Sequence, residues 1–115
     1  MAKWHGRNNC YGYATRVPKW LLLESDYEDA IYELLDKNPT WKLVKRSEMV
    51  LGKEYVAYRY CERDFHFMRR NKQGYWRHKQ GPCPVQAIST KDVFAESWDP
   101  KGFNYNSKIY LFEVA

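Results

Sequence analysis

With 115 residues and 19 Lys and Arg against 14 Asp and Glu, the chain has a formal charge of +5 and the length of one domain, too short for a doubly wound nucleotide-binding fold with a second substrate domain. Ten Tyr, five Trp and five Phe supply enough apolar surface to offset the ordering entropy that leaves disordered chains unfolded. The longest apolar run, Trp20 to Leu23, meets Glu24 at once and falls far short of the roughly 18 residues of a membrane span, so no span is expected.

Residues 1–10 are charged and lack an apolar segment, which predicts a protein made in the cytoplasm without a secretory leader. Asn8 or Asn9 can cap a short helix over 9–16 that Pro18 limits, with Cys10 in its first turn. Ser25-Asp26-Tyr27-Glu28 has the form of a capping box. Tyr27, Ala30, Ile31, Leu34 and Leu35 then recur at helical spacing until Asn38-Pro39, which predicts a second helix. From Trp41 the pattern changes to β-rich runs over 41–44, 55–60, 65–70, 75–79 and 108–114, with turn signals at Gly52-Lys53, 71–74, Gly81-Pro82 and 99–102. The expected fold is α+β: N-terminal helices packed on one face of a small antiparallel sheet, all in one domain over 1–115.

The chemistry centres on the hairpin at 71–73. Pairing Arg70 with Gly74 sets Met68 opposite Trp76 and His66 opposite His78 on one face, while Phe65 and Phe67 point the other way. In that register Met68 and Trp76 are placed to pack on the N-terminal helix. A thiol at a helix start is favoured as thiolate, so Cys10 with His66 forms a thiolate–imidazolium pair, and His78 orients the first ring. The ordinary alternative for an isolated cysteine is a small buried hydrophobe.

The three cysteines, Cys10, Cys61 and Cys83, cannot all pair and contain no C-x-x-C, which leaves neither a disulfide framework nor a zinc ribbon. Cys61-x4-His66 and His78-x4-Cys83 mirror each other across the hairpin. In regular strands, however, those cysteines have the opposite parity to the histidines, so a zinc site needs a bulge and the expected metal and cofactor content is none. His5 is too local to Cys10 to serve as its base, and no Ser sits beside a His-Asp pair. The basic runs Arg69-Arg70-Asn71-Lys72 and Arg77-His78-Lys79, interleaved with Tyr75 and Trp76, suit either a solvated hairpin or a single-stranded nucleic acid.

Asn9-Cys10-Tyr11-Gly12-Tyr13-Ala14 resembles the nucleophile motif of the NlpC family of papain-like cysteine peptidases, including the glycine and aromatic after the cysteine. Asp64-Phe65-His66-Phe67-Met68-Arg69-Arg70 resembles that family's strand bearing the catalytic histidine, with Phe65-His66-Phe67 where the family commonly has Gly-His-Val. Gly74 to Gly81 is similar to the next strand, which bears a third polar residue. The resemblance is closer to small bacterial and phage proteins of this type, whose closing aromatic strand is similar to Ile109–Val114.

That resemblance implies a papain-like, NlpC-type minimal core in which Cys10 is the nucleophile, His66 the general base and His78 its orienter. It also implies an oxyanion hole that includes the Cys10 amide, and a substrate drawn from short cell-wall peptides or another peptide, isopeptide or acyl target. Tyr11, Trp76, Arg69 and Arg70 are the candidate substrate or partner contacts. The alternative function is a catalytically inactive binding or inhibitory module, such as a phage protein that blocks a host protein, using the basic aromatic hairpin as its contact surface.

Overall fold

The computed structural model describes residues 8–62, 64–100 and 104–114. Helix α1, Cys10–Thr15, is capped by Asn9, whose side-chain oxygen accepts the Gly12 amide at 3.0 Å. The helix closes at Arg16 in the left-handed region (φ 60°), whose N–H returns to the carbonyls of Gly12 and Tyr13. The chain then turns at Pro18 and runs back along the helix. A Cβ on Gly12 would stand 2.2 Å from the Lys19 carbonyl oxygen and 3.0 Å from that of Val17, so only glycine fits there. Because both obstacles are backbone, Gly12→Ala is expected to cost about 3 kcal/mol, read as a lower urea midpoint at an unchanged slope. An unchanged midpoint would mean that 17–19 is free to move aside.

Helix α2, Asp29–Lys37, buries Ala30, Ile31 and Leu34 and ends where the Asn38 N–H reaches the Leu34 carbonyl. The expected Ser25–Glu28 capping box does not form. Tyr27 adopts a left-handed conformation (φ 53°) that bends the chain between Ser25 and the helix, and Glu28 occupies the cap without a side-chain bond. The carboxylate of Glu33 instead accepts the amides of Glu24 and Ser25 at 2.9 and 2.7 Å. Those bonds hold the Glu33 carboxyl below its usual range, against the opposing effect of burial.

Six antiparallel strands follow: β1 (Lys42–Val44), β2 (Glu54–Tyr60), β3 (Phe65–Arg70), β4 (Trp76–Lys79), β5 (Val85–Ala87) and β6 (Tyr110–Val114). They lie in the order β1-β6-β2-β3-β4-β5, with a 3-10 turn at Arg46–Glu48 and a short helix α3 at Thr90–Val93. The architecture is α+β. Strand β5 and helix α3 were not expected: Val85–Ala87 is a three-residue exposed edge, and α3 is a single turn. Ser89 does carry a helix-start signal, its hydroxyl accepting the Asp92 amide at 3.1 Å.

Alternation along β2 and β3 divides the apolar side chains between two cores. Val56, Tyr58, Phe67 and Phe112 meet α1 and α2, whereas Tyr55, Ala57, Met68, Trp76 and Leu111 meet Ile88 and Val93. Met68 and Trp76 therefore pack against α3 and its flanks, not against the N-terminal helices as expected, because they share a parity that faces away from α1. Both faces of the sheet are covered.

Candidate active site

The β3–β4 hairpin has a five-residue loop, Asn71 to Tyr75, instead of the expected three. Asn71 Oδ1 accepts the amides of Gln73 and Tyr75 at 3.1 and 2.9 Å, and Gly74 takes φ +96°. Arg70 consequently pairs with Trp76, and Met68 with His78. The register is shifted by two residues from that expected, so His66 is not directly opposite His78. A shift of two preserves parity, however, and the rings still meet diagonally across one face. His66 Nε2 lies 2.8 Å from His78 Nδ1, with the ring planes at 87°.

Both imidazoles are buried beneath Trp98, whose ring lies 4.9 Å from that of His66 and 5.4 Å from that of His78. Tyr105 packs at a tilt against Trp98, 5.5 Å between ring centroids, and pairs with it through two backbone hydrogen bonds, while its hydroxyl donates to Asp64 at 2.8 Å. Burial pushes His66 down to about 3, helped by the neighbouring His78 and by the Arg59 guanidinium; burial also lowers His78. Both shifts favour the neutral rings. Arg59 sits opposite His66 in the β2–β3 register and is fully buried, its guanidinium donating to the carbonyls of Val93, Ala95 and Glu96 at the end of α3.

Cys10 is the first residue of α1, as expected, and burial there favours the neutral form of its thiol. Burial pushes it up to about 12; the Phe67 amide acts in the opposite direction, and the Asp64 carboxylate adds to the rise. Six residues make a weak helix dipole, and loss of water around the sulfur outweighs it. Burial therefore acts against the expected thiolate–imidazolium pair, favouring the neutral thiol at Cys10 and the neutral ring at His66. Cys10 Sγ lies 4.0 Å from the Phe65 carbonyl oxygen, so it sits at the β3 backbone next to His66. Phe65 and Phe67 face α1, whereas the His66 ring occupies the other face, and Cys10 and His66 both line one cavity of about 290 Å³ at that end of the sheet.

Two side chains set the position of the helix start. Asn9 accepts the Leu21 amide at 3.1 Å and donates to its carbonyl at 2.7 Å, and Lys79 donates to the carbonyls of Asn8 and Gly81. Burial lowers the Lys79 ammonium. Arg59, Asp64, Lys79, Trp98 and Tyr105 had no local sequence signal, since each acts on a residue distant in the chain or on a neighbouring strand.

The four expected contact residues are all buried. Tyr11 stacks on Phe67 at 4.7 Å, and Trp76 meets Phe94 edge-on at 5.8 Å. Arg69 donates to the Ala14 carbonyl and pairs with Glu54 at 3.3 Å, and Arg70 lies over the Tyr55 ring at 5.2 Å. These side chains hold the fold together and do not form a contact surface; of the hairpin residues, Lys72, Gln73, Tyr75 and Arg77 are exposed. Cys61 lies just past β2 and Cys83 in the turn after β4, and among the described residues no three His, Cys, Asp or Glu side chains converge on a metal position. His5 lies outside the described residues. No described helix is long and apolar enough to cross a membrane. Compared with known proteins, the chain matches no family model, no curated protein and no solved structure.

Proposed function

We propose that this chain is a thiol-dependent hydrolase of amide or acyl bonds, built on a papain-like core of the NlpC type. The observation that carries the reading is that Cys10, at the start of α1, and His66, whose Nε2 is bonded to His78, line the same cavity. With Nε2 committed to His78, Nδ1 of His66 is the nitrogen left to act, which requires the Nε2–H of His66 to donate to His78 Nδ1.

Since the resting thiol is neutral, His66 takes its proton as the sulfur attacks the substrate carbonyl, rather than holding a preformed ion pair. The sulfur–carbon bond forms, and collapse of the tetrahedral intermediate breaks the carbon–nitrogen bond. The proton passes from His66 to the leaving amine. Water then cleaves the thioester, releasing a carboxylic acid and restoring the thiol. Amides at the start of α1 are suited to stabilise the oxyanion. Cell-wall peptides and isopeptides are substrates of the right chemistry. The binding-module alternative has less support, since Trp76, Arg69 and Arg70, on which it draws, are buried.

Incubation with p-nitrophenyl acetate at neutral pH, followed by peptide mass spectrometry, tests the reading. One acetyl group on Cys10 is expected, slowed at least about a hundredfold by His66→Gln with the fold retained by circular dichroism. Acetylation confined to other residues, or a Cys10 rate indifferent to His66, would overturn it.

A further inference from the structure

We propose that the cavity beside Cys10 accepts a bulky, uncharged apolar acyl group, so that the substrate carries an aromatic or branched aliphatic side chain on the carbonyl side of the bond that is cut. The reaction rests on the hydrolase reading above; the specificity rests on the cavity walls. These are the indoles of Trp20 and Trp98 with Leu22, Phe65 and Pro82, around a volume of about 290 Å³. Pockets of about this size, mostly apolar with a few polar groups, are the ordinary form of a small-ligand site.

Trp20 and Leu22 remain 49% and 70% exposed although large and apolar, and both lie on the cavity. Adjacent exposed apolar side chains on a concave wall are the pattern of a surface that something apolar covers. They are also held in place. The two Asn9 bonds to Leu21 fix the backbone between them, and Trp20 lies against the Gly81 turn, where a Cβ would be 3.6 Å from its ring.

Charge leads to the same ligand class. The carboxylate in the lining, Asp64, already accepts the Tyr105 hydroxyl, and among the described residues no Lys or Arg side chain lines the cavity. A carboxylate on the acyl group would lose its water, face Asp64 and find no cation among the described residues of the lining, whereas an apolar group loses nothing by entering.

Binding and acylation can be read separately. Cys10→Ala, which cannot turn over, is titrated by amide NMR with N-acetyl-phenylalaninamide and with the corresponding glutamic acid amide. Wild-type protein is treated with p-nitrophenyl phenylacetate and with the mono-p-nitrophenyl ester of glutarate. The phenylalanine amide is expected to bind at least about tenfold more tightly than the glutamic acid amide, with shifts at Trp98 and Leu22, and Trp20→Ala reduces that preference to less than about threefold. Apolar preference in binding without acylation of Cys10 by either ester would leave the inference standing and remove the hydrolase. Acylation at equal rates together with no binding preference, or no saturable binding of the phenylalanine amide, would overturn the inference and leave the hydrolase to its own test.

Discussion

Lowering the pH from neutrality to about 4 is expected to remove about 3 kcal/mol of folding stability through His66 alone. Its imidazole sits at about 3 in the folded protein and at about 6.5 in an unfolded chain. Between these values the unfolded chain binds a proton that the folded chain does not, so stability rises with pH across the window and falls on acidification. At about pH 4 the solution lies roughly 2.5 units below the unfolded value, and each unit is worth about 1.4 kcal/mol.

His78 is shifted in the same direction, by burial, with Asp92 acting against it. The groups around the pair therefore include Arg59 and Asp92 as well as Asp64, Tyr105 and Cys10 near the cavity. Glu33 also loses its stabilising bonds on acidification, but below the usual carboxylate range and so later in the titration. Urea unfolding at a series of pH values, on wild type and His66→Gln, separates these contributions. The slope between about pH 6.5 and 4.5 is expected to flatten in the variant, and equal slopes would mean that His66 takes up its proton in the folded state as readily as in the unfolded one.

Phe67→Ala is expected to be the most destabilising single truncation near the site, at about 4 kcal/mol. The ring has no exposure, stacks on Tyr11 at 4.7 Å and meets the tilted Tyr58 ring at 5.0 Å, so its removal leaves a cavity between α1 and the sheet. The same contact holds Cys10 against β3. Iodoacetamide labelling of Cys10 is therefore expected to rise by at least about tenfold in the variant, since each 1.4 kcal/mol or so lost from the opening free energy multiplies the open population by ten. A loss below about 1 kcal/mol, or labelling unchanged from wild type, would show that α1 is anchored elsewhere, for example through Arg69 and Ala14.

Local signals in the chain were readable where the cause was itself local. Asn9 caps α1 because its side chain reaches an amide three residues on, and Phe65–Arg70 is a strand with the bounds that its β-rich pattern indicates. Ser25-x-x-Glu28 misleads because a positive φ at Tyr27, a tertiary outcome, takes Ser25 away from the helix it would cap. The hairpin loop is longer than its turn residues suggest because Asn71 closes a side-chain turn over Tyr75. Val85–Ala87 shows no pattern because an exposed edge strand needs none.

The sequence by itself determined that His66 and His78 share a face, because strand parity survives a register error of two residues, and that Cys10 begins a helix, because the cap lies next to it. Only the tertiary structure decided the protonation of the site. Burial beneath Trp98 and Tyr105 and against the β3 backbone strips water from both imidazoles and from the thiol; the cost of charging the dehydrated thiol exceeds what a six-residue helix returns, and at His66 the neighbouring ring adds to that cost. The same burial reassigns the charge of +5. Arg59, Arg69, Arg70 and Lys79, part of a basic chain when read in sequence, are turned inward onto carbonyls, a carboxylate and an aromatic ring, because their stems lie on covered strands of a sheet packed on both faces.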